Sequence, residues 1–471
     1  MSLHNKKPTD QLTVSQHFWK YAIPSIAAML VSGLYQIIDG IFVGHYIGFE
    51  GLAGINMAWP VICCIAGVGM MIGMGAGSLL SISRGEDKPK DGLRVLNNAM
   101  ALIIILSVLA AVFINFWGET LLLLQSANGD NFAMAMNYIE VFAYGAFFTA
   151  TATALPLLVR NDENPGLATK LLIIGASLNI LLDYLLIAVY PLGLKGAAIA
   201  TLLSQATVVV LGFSYFFSSK ANTRAKLEFN LISLSQMKHI IVLGSSSLFM
   251  FLYFSFIIAL HNYLFMKFGS AVHVAAFAIV GYVATTFFLL AEGIAGGMQP
   301  PVSYYYGAKQ VANIKATVKL AVKVIVILAL STLAFINIFP EFVIGFFSSQ
   351  DKVLMAETLI GMRLHLFALV LDGLIFIATM YFMAVNRGGR SLTISLGNML
   401  IQIPFLLTLP SILGVNGIWL SVPLSNVALC ILLSPLIFNE IKRIKNLDSN
   451  NAFENHNNKL ATEDNISLRE S

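Results

Sequence analysis

The chain has 471 residues, 57% of them hydrophobic and 11% charged, with a formal net charge of +4 and a mean hydropathy of +0.79. Soluble domains carry about a quarter charged residues, so this composition excludes a soluble enzyme and an ordinary nucleic-acid binder. The small positive balance is no polyanion footprint, and its distribution along the chain is more informative than its size.

Twelve apolar runs follow, each long enough to cross a bilayer as a helix. In chain order they are 18–43, 53–82, 93–117, 131–159, 167–190 and 195–218, then 238–267, 274–304, 315–340, 353–385, 391–412 and 416–440. With the N-terminus inside, the inner loops and termini collect 24 of the 28 Lys and Arg. Lys195, Lys267, Lys352 and Arg363 are left on or near the outer side. This asymmetry predicts an all-α polytopic membrane protein with both termini cytoplasmic. The first run is long and has no small-residue cleavage site, so no cleavable signal peptide is expected.

The halves repeat. Ala53–Gly85 lies over Ala275–Gly307 with Gly75/Gly297, Ser81/Ser303 and Gly85/Gly307 coinciding, a shift of 222 residues. Gly193–Gln205 lies over Gly414–Asn426 at a shift of 221. Six spans per half make the repeats parallel, related by an axis along the membrane normal. The expected layout is a cytoplasmic N-terminus (1–17), an N-lobe (18–218), a polar cytoplasmic linker (219–237), a C-lobe (238–442) and a disordered Asn-rich tail (443–471).

Carboxylates inside spans are costly, and they face a cavity or a partner. Asp39, Asp183, Glu292 and Asp372 qualify. A rise of 1.5 Å per residue puts Asp39 and Asp183 at one depth, roughly 8–10 Å below the outer helix ends. Thr201 is level with them on the next span, and Asn179 shares a helix face with Asp183. Two carboxylates, an amide and a hydroxyl form an oxygen-rich set suited to H⁺ or Na⁺. Asp372 and Glu292 rank second. Pro24 in the first span and Pro156 in the fourth are expected to kink their helices. Met57, Tyr138, Phe287 and Tyr305 are candidates for an apolar cavity lining, although core packing is the better reading of any one of them. The glycines of Gly67–Gly77 lack dinucleotide-loop spacing and read as close helix packing. The histidines show no metal-ligand spacing, and no metal or cofactor is expected. An intramembrane aspartyl protease is disfavoured because no G-x-G-D pattern precedes Asp183.

The set Pro24, Asp39 and Gly44, together with Arg160–Ile187 and its N-x-x-x-D, Gly193–Thr201 and Gly296–Lys309, resembles the multidrug and toxic compound extrusion (MATE) family over about residues 18–442. The resemblance is to bacterial members with an N-lobe cation site. It implies two pseudo-symmetric six-helix lobes in a V, set in the inner membrane. It also implies a monomeric, non-enzymatic antiporter that exports cationic amphipathic drugs against H⁺ or Na⁺. Relatives in this branch use positions matching Asp39, Asn179, Asp183 and Thr201. Many of them carry Asn where this chain has Pro156, and the acid that other branches place in the seventh span falls here at Tyr253. The alternatives are a flippase for lipid-linked oligosaccharides, which would need several cavity-facing bases, and a membrane protein without transport.

Overall fold

The structure is a computed structural model that describes residues 12–124, 129–226, 228–345 and 352–470. Fifteen α-helices account for nearly all of the described residues, and no strand occurs among them. In the first half they are α1 (Val14–Tyr46), α2 (Phe49–Gly85), α3 (Pro89–Leu124), α4 (Gly129–Tyr144), α5 (Ala146–Asn161), α6 (Pro165–Asp183) and α7 (Gly193–Phe217). The second half holds α8 (Leu234–Phe268), α9 (Ala271–Gly307), α10 (Val311–Ile338), a short α11 (Pro340–Gly345), α12 (Lys352–Leu366), α13 (Leu369–Ala384), α14 (Gly388–Leu413) and α15 (Val415–Glu470).

Nine of the described helices are long and apolar enough to cross a membrane, and two bent pairs bring the number to eleven. The bent pairs are α4 with α5, at 65°, and α12 with α13, at 43°. The 35-residue α8 occupies the place of the seventh expected span, which completes the twelve. The bend between α4 and α5 falls at Gly145, where a Cβ would run into the Leu202 side chain. Lys6 and Lys7, counted on the inner side from sequence, lie outside the described residues. Helix α15 runs on to Glu470, through the Asn-rich stretch that follows the last span. That stretch contains no Gly or Pro to break the helix.

Local sequence explains the helix starts. Thr13 and Gln16 form a capping box at α1, with Gln16 N donating to Thr13 Oγ1 at 3.3 Å and Thr13 N donating to Gln16 Oε1 at 2.9 Å. Asn164 caps α6 through Leu167 N at 3.3 Å, followed by Pro165 in the first turn. Pro24 and Pro156 both lie inside unbroken helices, α1 and α5. The Pro24 carbonyl accepts a 2.7 Å hydrogen bond from Thr169 Oγ1 on α6.

The backbone itself carries the repeat. Non-glycine residues with left-handed φ occur as two pairs, Asp87 (59°) with Lys309 (57°) and Glu163 (69°) with Asn386 (59°), offset by 222 and 223 residues. Gly193 (61°) and Gly414 (57°) form a third pair, offset by 221. A strained turn recurring at the same offset indicates one supersecondary pattern used twice.

The halves meet through α1, α2, α8 and α9. Gly75 on α2 and Gly244 on α8 lie backbone against backbone, and a Cβ on Gly75 would fall 2.9 Å from Gly244 N. Along α1 and α9 the contacts run from His17 Nδ1 and Tyr305 hydroxyl at 2.7 Å, through Ile26 against Gly293, to Gly33 against Leu289. Past that level Gly40 and Gly281 have nothing within 4 Å of where a Cβ would sit. The helices thus pack tightly over the end that carries His17 and Tyr305 and diverge toward the end that carries Gly40 and Gly281, which produces the V. Tyr138, Phe287 and Tyr305 are buried in the packed core rather than lining an open cavity.

Candidate functional site

Helices α1, α6 and α7 carry a group of polar side chains inside the first half. Asp39 projects from α1 and Asp183 from the last turn of α6, and the two carboxyl groups are close enough to interact electrostatically. Asp183 is fully buried and Asp39 half-buried. Among the described residues, neither Asp183 oxygen nor the buried Asp39 Oδ1 receives a hydrogen bond from a protein donor. Two adjacent acceptors without a protein donor are satisfied by a proton, a cation or water between them.

Beside them, Asn179 Nδ2 donates to Thr201 Oγ1 at 3.3 Å, and that hydroxyl donates to the Ala197 carbonyl at 3.1 Å. These bonds fix the Asn179 amide and leave its buried Oδ1 without a protein partner. The structure thus brings Asp39 to Asp183 and Asn179 to Thr201, with Asn179 one helical turn before Asp183 on α6. An oxygen-rich set of two carboxylates, an amide and a hydroxyl fits a hard monovalent cation or a proton.

Sequence reasoning missed two features. Tyr35, one turn before Asp39 on α1, is electrostatically coupled to both acids, as is Tyr138 of α4. The four-residue spacing from Tyr35 to Asp39 was the available signal. The other is a π-helical turn, Tyr184–Val189, that follows Asp183 directly. Such turns shift the register of a helix and recur at functional sites, and no local pattern in "YLLIAV" announces one.

The second-rank acids stand elsewhere. Asp372 on α13 accepts a 2.6 Å hydrogen bond from Asn426 Nδ2 on α15. Tyr253 donates its hydroxyl proton to Gln402 Oε1 and is electrostatically coupled to Asp372. Glu292, on α9, is the carboxylate felt by Arg160 of α5. Arg160 was counted among the inner-surface bases, yet it is only 7% exposed. It reaches Ser25 Oγ and Met74 Sδ, each at 3.4 Å. With Ser25, Pro156, Pro165 and Thr169 it lines a cavity of about 20 Å³, room for about one water.

The family model described as MatE matches residues 24–185 and, a second time, residues 246–408. The chain belongs to the MatE family. The two matches begin 222 residues apart, the offset already present in the backbone. Multidrug export protein MepA of Staphylococcus aureus strain NCTC 8325 is 22% identical over 423 residues, covering 88% of this MatE chain and 92% of its own length. MepA of Staphylococcus haemolyticus is 20% identical, with 87% and 90% covered. Among solved structures, an outward-facing multidrug resistance MATE family transporter of the MOP superfamily superposes with a TM-score of 0.84 at 24% identity. That match covers 92% of this chain and 96% of the other. A MATE protein in the bent conformation gives the same TM-score over 93% and 97%. These likenesses establish the fold of a MatE membrane transporter with twelve helices.

Proposed function

We propose that this MatE chain is a secondary active multidrug exporter that moves cationic amphipathic small molecules outward in exchange for H⁺ or Na⁺. The observation that carries the reading is the Asp39–Asp183 pair, two facing carboxyls without a protein donor. The MepA relatives, named as multidrug export proteins, support the choice of cargo. The proposed setting is the bacterial inner membrane, with both termini cytoplasmic, a monomer, and lobes over 18–218 and 238–442.

With the outer ends apart, Asp39 and Asp183 take up the coupling cation from outside, and Asn179 Oδ1 and the Thr201 hydroxyl supply neutral oxygens beside it. Loading cancels the repulsion between the carboxylates and draws α1 toward α6. The rearranged α1 alters the wall of the central cavity and releases the drug outward. The inner faces of α1, α2, α8 and α9 then part, the cation leaves to the inside, and the cavity reloads. A single charge crossing 100 mV supplies about 2.3 kcal/mol for this cycle, before any chemical gradient.

The test is dye transport in proteoliposomes energised either by a pH gradient or by a Na⁺ gradient. Gradient-driven ethidium movement is expected under one or both, and ethidium movement under neither rejects the reading.

A further inference from the structure

The turns between α5 and α6 and between α13 and α14 are equivalent in the repeat, as their shared left-handed residues Glu163 and Asn386 attest. Each turn is held by a buried carboxylate to the segment that ends its half. In the first half the acid sits on the turn. Asp162 accepts from the Tyr215 hydroxyl at 2.7 Å, Asn222 N at 2.8 Å and Thr223 N at 2.9 Å, all neutral donors. In the second half the polarity is reversed and the acid sits on the last helix. Glu440, 3% exposed, accepts from the Tyr381 hydroxyl at 3.0 Å. It also takes three guanidiniums: Arg387 at 2.5 Å, Arg390 at 2.7 Å and Arg443 at 3.1 Å.

One carboxylate cannot neutralise three guanidiniums. Among the described residues these arginines form no ion pair other than those to Glu440, so the cluster holds two uncompensated positive charges. A staple alone would need a single arginine, or none, as the first half demonstrates. Each guanidinium carries five donors and directs one nitrogen to Glu440. The arginine side chains are 22%, 39% and 35% exposed, so the remaining donors reach the surface. On the same turn of α14, a Cβ on Gly389 would meet nothing within 4 Å, so that turn is not packed over. Elsewhere around the same turns of α15, Phe438 and Ile441 are 66% and 49% exposed, apolar surface suited to acyl chains.

We propose that Arg387, Arg390 and Arg443 bind a phosphate-bearing anion at the membrane–water boundary. Guanidinium forks match phosphate oxygens in geometry as well as charge. An anionic phospholipid headgroup and free phosphate share this chemistry, and the exposed Phe438 and Ile441 favour the lipid.

The test uses the purified full chain in detergent, with native mass spectrometry and thermal unfolding in added phosphatidylglycerol, phosphatidylcholine or inorganic phosphate. The parent chain is expected to retain phosphatidylglycerol in preference to phosphatidylcholine, and the pair Arg390→Gln and Arg443→Gln to lower that preference about tenfold. Arg387 is left in place to keep Glu440 paired. If millimolar phosphate stabilises the parent chain and displaces the lipid, free phosphate also occupies the site. If the double variant fails to fold, Arg390→Lys is expected to keep the preference that Arg390→Gln weakens. Equal retention of the two lipids by the parent chain, or an undiminished preference in the folded glutamine variants, overturns the proposal.

Discussion

Asp39 of α1 and Asp183 of α6 are electrostatic neighbours inside the first half, with no protein donor for either Asp183 oxygen. Replacing Asp183 by Asn halves the charge and gives the site a permanent donor. An amide in that place satisfies Asp39 without a cation. Asp183→Asn is expected to fold and to bind the coupling cation at least about tenfold more weakly, since a charge-assisted contact is worth roughly 1.5–3 kcal/mol. Ion-dependent thermal stabilisation of the purified protein checks this.

Tyr35→Phe tests the residue that sequence reading passed over. The hydroxyl lies near both acids without being a counter-ion. Loss of this group is expected to shift the ion dependence of transport about two- to fivefold and leave folding intact, within the usual worth of one neutral hydrogen bond. Transport rates across a series of ion concentrations give the readout.

The inner closure rests on backbone contact, so a methyl group there is costly. In Gly244→Ala the new Cβ would press on the Met71 carbonyl oxygen, which is backbone and cannot rotate away. A loss of about 1–3 kcal/mol in stability is expected, with slowed efflux. Gly281→Ala, where nothing lies within 4 Å, is the control and is expected to be near neutral. Unfolding curves in detergent for both variants separate the two cases.

Asp162 anchors the end of the first half. Burial pushes its carboxyl up from the ordinary carboxylate range, while hydrogen bonds from Tyr215 and Thr223 pull it back. Asp162→Ala strands the Tyr215 hydroxyl and the Asn222 and Thr223 N–H groups, and about 2–4 kcal/mol of destabilisation is expected. Tyr215→Phe removes one donor only and is expected to cost about 1 kcal/mol. Thermal unfolding of the two variants gives the comparison.

Much of this architecture is legible in the sequence because membranes impose strong rules. Span length, the sidedness of Lys and Arg and the 222-residue repeat need no tertiary information. Asp39, Asp183, Asn179 and Thr201 could be grouped because depth in a helix is countable. Rotation about the helix axis is harder to count, which is why Tyr35 escaped notice, while Phe287 and Tyr305 lie in the core, the reading their residue types favour. The π-helical turn after Asp183 and the burial of Arg160 depend on neighbours far along the chain.

The central claim is that the Asp39–Asp183 pair couples ion entry to drug exit. Counterflow in proteoliposomes tests it most directly, with the parent chain and Asp39→Asn compared for ethidium movement driven by the gradient that energises the parent. Asp39→Asn is expected to bind ethidium and to lose at least about 90% of gradient-driven transport, a deficit of about 1.4 kcal/mol or more in the coupled step. Transport by Asp39→Asn at the parent rate, under the same gradient, would contradict the account.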